Sequence, residues 1–149
     1  MPQSDHYRKL EWMYLHGAPI NKFYKPAIKV ESGAATITIE SNPKYFHAAN
    51  AVHGSVYFKM LDDAAFFAVN SLVLDAFVLT TNFNINLLRP VVFGELKSVG
   101  KVVYNARKSF LAEANLYNNK NQLIATGNGT FVKSKIDLNE EVGYKEMDS

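Results

Sequence analysis

The chain has 149 residues, of which 48% are hydrophobic, 20% charged and 13% aromatic, enough for one folded core and unlike a disordered or fibrous protein. It contains no cysteine, so disulfides, thiolate metal sites and a cysteine nucleophile are excluded and the chemistry falls to carboxylates, His, Ser or Thr. A net charge of +2 is too small to suggest nucleic-acid binding, no apolar run reaches the about 20 residues of a membrane span, and the start lacks a secretory pattern, so a cytoplasmic protein is expected.

From Asp5 to His16 apolar side chains recur at mostly helical spacing, with Ser4 or Asp5 available as N-cap, which predicts a short helix over about 5–16. Pro19 and Pro26 punctuate the loop that follows. Ala27–Glu31 and Ala35–Glu40 then read as a β-hairpin joined at Ser32-Gly33-Ala34, with Ile37 and Ile39 alternating against Thr and Glu. Between Val52 and Leu74 the chain is apolar on nearly every face, its strong charges being Lys59, Asp62 and Asp63. Such a segment predicts a central helix wrapped by the rest of the protein.

Alternation returns at Phe83, Ile85 and Leu87 and closes at Arg89-Pro90. Three further strands are predicted, Glu95–Asn105, Phe110–Tyr117 and Leu123–Val132, and their short links imply antiparallel neighbours. From Ser134 onward no apolar period is sustained, so the tail over about 134–149 is expected to be frayed or loosely docked. The whole reads as one α+β domain over 1–149 with its core at about 27–133. One sheet over one helix leaves a sheet face and two edges unprotected, for which dimerisation is the economical remedy.

Charge and motifs narrow the chemistry. Residues 133–149 hold three basic and five acidic side chains, which leaves +4 on the first 132 residues, a balance suited to a small anionic ligand. Asp62 lies on an otherwise apolar helix, where a carboxylate costs free energy unless it is paired or solvated. Asp63 has a simple partner in Lys59, four residues earlier, and Lys59 could also reach Asp62. Adjacent helical residues point about 100° apart, so the two carboxylates cannot share one pocket. Ahead of the helix, His53-Gly54-Ser55 offers unpaired N–H groups at the positive end of the helix dipole, which can hold a carbonyl oxygen as it gains charge. Plain N-capping by Ser55, with Gly54 as a turn, is the structural alternative.

In order and spacing these features resemble the acyl-CoA thioesterases of the hotdog fold, in their PaaI-like, phenylacetate-pathway branch. The resemblance spans about residues 45–132. His53-Gly54-Ser55 is similar to the family's HGG motif, and Asp62 stands nine residues after the His, where the family has its acidic residue. Thr80 to Arg89-Pro90, Phe93-Gly94-Glu95-Leu96, Arg107 and Gln122 to Gly127 also fit. Two positions depart from the pattern: Ser55 replaces the second glycine, and His47 stands where Asn is usual, with Asn50 a weaker substitute for that polar role.

The resemblance implies an antiparallel sheet wrapped around one long central helix, and a site at a dimer interface. It gives Asp62 the role of nucleophile or general base, and the Gly54 N–H that of polarising the thioester carbonyl. Thr80 would orient water or the carboxylate, and His47 would donate a second hydrogen bond. His53 would chiefly shape the turn. Arg107, Lys108 and Ser109, with Arg89, are the candidates for coenzyme A phosphates. The expected partners are an acyl-CoA substrate and further copies of the chain, as a dimer or a dimer of dimers, with no nucleic acid and no membrane. No cofactor is implied beyond the coenzyme A of the substrate, and no metal, since His47 and His53 lack the spacing of a paired site. An acyl-CoA-binding protein without turnover is one rival; a hydroxyacyl-thioester dehydratase using His47 or His53 is another.

Overall fold

The computed structural model describes residues 3–146. In chain order it contains α1 (Gln3–Trp12), α2 (Asn21–Tyr24), β1 (Ala27–Glu31), β2 (Ala34–Glu40), α3 (Gly54–Asn70), β3 (Ala76–Leu87), β4 (Glu95–Asn105), β5 (Ser109–Tyr117) and β6 (Leu123–Asp137). The strands form one antiparallel sheet in the order β1-β2-β4-β5-β6-β3. Across its inner face lies α3, against which Ile37, Ile39, Leu96, Ala112, Ala114, Leu116, Ile124 and Phe131 are packed and buried. This is the sheet wrapped around a central helix that the sequence implies.

The helix comes close to the sheet because the chain supplies small residues where the two meet. Ala64, Ala65 and Ala68 of α3 are fully buried. A Cβ added to Gly100 of β4 would stand 2.2 Å from the Ala64 carbonyl oxygen, so only glycine fits there. After α3, the fully buried Asn70 organises the turn into β3. Its amide donates to the Val73 and Ala76 carbonyls and its Oδ1 accepts from the Val78 N–H. Both amide hydrogens and the carbonyl oxygen thereby have partners inside the core.

Three expectations require correction. The N-terminal helix is α-helical only to Trp12 and continues as a π-helical turn over Met13–Gly17. The central helix occupies Gly54–Asn70 rather than the whole of 52–74, and its N-cap is His53, whose Nδ1 accepts from the Ser55 N–H at 3.0 Å; Ser55 itself does not cap. The tail is not frayed through residue 146, because β6 runs on to Asp137 opposite Ala76 and a 3-10 turn follows over Glu140–Val142. Tyr144 is buried there, its hydroxyl 2.7 Å from Nδ1 of the fully buried His6. The ring's other nitrogen, Nε2, donates to the Asn70 carbonyl at 2.9 Å, so α1, the end of α3 and the C-terminal segment are joined at one histidine. The expectation for 147–149 lies outside the described residues.

Candidate active site

Asp62 and Thr80 meet where α3 crosses β3. The Thr80 hydroxyl donates to Asp62 Oδ1 at 2.9 Å. A register shift between Thr80 and Asn82 inserts Thr81 into the β3 ladder, and bulges of this kind re-aim the neighbouring side chain. Burial pushes the Asp62 carboxyl up to about 6, against the opposing effect of the Thr80 hydrogen bond; Asp63 nearby pushes it further up and Lys59 holds it down. The group is therefore mostly ionised at neutral pH and yet basic enough to accept a proton from water.

Both residues line a cavity of about 590 Å³. Its apolar wall is part aromatic, from Phe66 and Phe67 of α3, Phe77 of β3 and Tyr14 of the π-helical turn, and part aliphatic, from Met13, Ile20 and Leu79. The rest of the wall includes Gly17, Asn21, Glu141 and Val142. Segments far apart in sequence thus close over one carboxylate, and the docked C-terminal segment is one of them. Contrary to the expectation from helix geometry, Asp63 lines the same cavity as Asp62; its Oδ2 accepts from Lys59 Nζ at 2.6 Å and from the Tyr14 hydroxyl at 2.7 Å.

The N-terminus of α3 forms a second region. Gly54 and His47 line a separate cavity of about 300 Å³ together with Val52, Tyr57, Leu87, Leu88, Arg89 and Pro90. Asp62 is eight positions on from Gly54, and at 1.5 Å rise per residue this places them about 12 Å apart along the helix. A single chain does not bring the two together. His47 Nδ1 accepts from the Ala49 N–H at 3.0 Å, as His53 Nδ1 does from Ser55, so each neutral ring carries its proton on Nε2. His47 presents that N–H as a donor, and His53 is committed to the cap. Asn50 is exposed in the same loop, at φ 64°, with its backbone N–H on the His47 carbonyl.

The remaining sequence-predicted residues are dispersed. Arg107 and Lys108 are exposed in the β4–β5 hairpin, closed by the Ala106 N–H on the Ser109 carbonyl at 2.9 Å, and these three line neither cavity. Arg89 borders the Gly54 cavity, with its carbonyl accepting from the Tyr57 hydroxyl at 2.9 Å. Sequence reasoning missed Tyr14, Phe77 and Glu141. Only long-range packing gathers them, although the helical spacing of Lys59 and Asp63 was visible.

A family model described as the thioesterase superfamily matches residues 49–125, slightly more than half of the chain. A Saccharolobus solfataricus protein named "Putative esterase SSO1253" is 26% identical over 104 residues, covering 70% of this chain and 69% of the relative. Among solved structures, the Escherichia coli PaaI protein from the phenylacetic acid degradation operon superposes with a TM-score of 0.82 at 17% identity, covering 92% of this chain and 99% of that one. Thioesterase HI1161 from Haemophilus influenzae gives 0.73 at 15% identity over 81% of this chain and 85% of that one. At such identities these likenesses establish the architecture, the hotdog fold.

Proposed function

The chain belongs to the thioesterase superfamily, and from that premise we propose that it hydrolyses an acyl-CoA thioester, with an aryl or medium-length acyl group, to the free acid and CoA. The observation that carries the reading is Asp62, half-buried, bonded to Thr80 and raised to about 6 at the edge of an aromatic cavity. The acyl group occupies that cavity. In the general-base form, Asp62 takes a proton from water as the water oxygen bonds to the thioester carbon. The tetrahedral oxyanion then collapses and the C–S bond breaks to release the CoA thiolate, a leaving group good enough to depart without a strong acid. In the nucleophilic form the carboxylate itself attacks the thioester carbon and the C–S bond breaks to expel the CoA thiolate, after which water hydrolyses the resulting anhydride and returns the free carboxylate.

The oxyanion needs a donor, and the Gly54 N–H of the same chain is about 12 Å of helix away from Asp62. A second copy that brings its own α3 N-terminus to Asp62 would complete the site, with His47 Nε2–H as a second donor. β3 supports such a pairing, because it lies at the sheet edge with Leu79 and Leu87 exposed along it. Arg89, Arg107, Lys108 and Ser109 are proposed to hold the coenzyme A phosphates, and Arg107→Ala should raise KM for a CoA ester more than it lowers kcat.

The test is thiol release from acetyl, medium-chain, long-chain and aromatic CoA esters by the native protein and by Asp62→Asn. Hydrolysis of one ester, lost by a factor of about 10²–10⁴ in the folded variant, is the expected result. If no ester is turned over while one of them stabilises the fold against heat, the protein is a binding module, and Ser55 and His47 are where its chemistry was lost. The dehydratase reading has less support for His53, which is engaged in its cap; His47 would reach Asp62 only from a second copy, so enoyl product formation is its test.

A further inference from the structure

Lys59 is an unusual residue to find in the wall of an aromatic cavity. Its side chain is only 13% exposed, its Nζ lies 5.3 Å from the ring centres of both Tyr14 and Tyr24, and it donates to Asp63 Oδ2 at 2.6 Å. The Tyr14 hydroxyl donates to the same oxygen at 2.7 Å. A cation held over two π-faces and against a carboxylate is fixed in position. Asp62 has a different environment, since the neutral hydroxyl of Thr80 is the one hydrogen-bond donor it receives among the described residues. Two consecutive carboxylates are thereby given separate tasks. Both line the cavity, but Asp63 is locked into an ion pair while Asp62 has no cation bonded to it among the described residues.

We propose that Lys59 is a positioning residue for Asp62: caged by Tyr14, Tyr24 and Asp63, it occupies the second carboxylate and supplies the positive charge that supports the Asp62 anion. The idea rests on the hydrolytic reading of Asp62 and adds what makes that carboxylate, rather than its neighbour, the reacting one. The charged and titratable groups facing Asp62 are Lys59 and Asp63 from its own helix, Tyr14 from the π-helical turn and Glu141 from the C-terminal turn. Of these, Lys59 alone is cationic. Without it, the Asp63 charge would act on Asp62 uncompensated. Tyr14, itself pushed well above its usual range by burial and by Asp63, stays a hydrogen-bond donor throughout.

Two substitutions act in opposite directions. Lys59→Met removes the supporting charge while keeping much of the stem, and should move the Asp62 titration midpoint upward. Asp63→Asn removes the repelling charge and should move it downward. Lys59→Arg should restore the native value. Carboxyl ¹³C NMR reads the Asp62 midpoint whether or not any ester is hydrolysed, so failure of the hydrolytic reading is seen separately, as an absence of thiol release by the native protein. Where activity is present, the acid limb of kcat/KM should shift with the NMR midpoint in each variant. Midpoints unmoved in folded Lys59→Met and Asp63→Asn, or moved in the same direction by both, would overturn the proposal. If Lys59→Met does not fold, the opposite shifts of Asp63→Asn and of the double variant Lys59→Met/Asp63→Asn relative to each other decide it: the double variant must titrate higher than Asp63→Asn alone.

Discussion

Asp62 occupies a place where its charge is costly, and this sets both its chemistry and its effect on stability. Its carboxyl stands at about 6 against an ordinary 3.8 because burial disfavours the anion more than Thr80 and Lys59 favour it. Between these values the native state retains a proton that the unfolded chain has released. The stability contributed by the protonated group is therefore complete below about pH 4 and is lost as pH rises through 6. At pH 7 the ionised group costs roughly 3 kcal/mol, on about 1.4 kcal/mol per pH unit. Asp62→Asn should accordingly raise stability at pH 7 by about 1–3 kcal/mol while removing hydrolysis, and the gain should vanish near pH 4; urea unfolding at the two pH values measures it. In the native protein kcat/KM should fall on the acid side with a midpoint near 6. The residue was legible in the sequence because a carboxylate interrupts an apolar helix nine residues after His53. The cage around the neighbouring Lys59 was not: Tyr14 and Asp63 are 49 residues apart in the chain, and no local pattern encodes the hydrogen bond between them.

At the scale of elements, alternation identified the strands wherever one face is buried. It failed where neither face carries a periodic pattern. Lys133, Ser134 and Lys135 are polar, yet β6 continues through them because β3 starts at Ala76 and offers ladder partners, Val78 opposite Lys133 and Ala76 opposite Asp137. The Lys133–Asp75 ion pair and the Ser134 hydroxyl on the Phe77 carbonyl hold the same stretch. The C-terminal turn beyond it is fixed by a buried histidine 138 residues away. Such pairings are decided by the partner strand and by tertiary contact rather than by propensity. The α3–sheet contact is as demanding as the ladder is permissive. Gly100→Ala puts a methyl group onto the Ala64 carbonyl, and because backbone lies on both sides the strain cannot be relieved by a rotamer change. It should cost at least about 1–3 kcal/mol, read as a lowered urea midpoint.

For the whole molecule, the question is how the two halves of the proposed site come together. Asp62 and Thr80 line one cavity, Gly54 and His47 another, and the helix between them is too rigid to fold back. A symmetric pair of chains would solve this by exchange, each lending its α3 N-terminus to the other's carboxylate, as proposed above. Gly54 allows a clean test, since it is the first residue of α3 and a proline at that position lacks the N–H while suiting helical φ. The preceding His53, at φ −63° and ψ 142°, already has the extended conformation that precedes proline. The nearest atom to a new Cβ is the side-chain Cδ1 of Leu87, at 3.1 Å, which can yield. Gly54→Pro should therefore fold and lose turnover by about 10²–10³, as removal of an oxyanion donor does. Mixed with Asp62→Asn under conditions of subunit exchange, it should recover about one quarter of native activity, because half the pairs are mixed and each mixed pair holds one intact site. Sedimentation must show dimers or larger assemblies in both variants and in the native protein. Should the mixture stay as inactive as its components while exchange is demonstrated, Asp62 and Gly54 do not act across an interface, and the carbonyl oxygen must be held by a donor of the same chain.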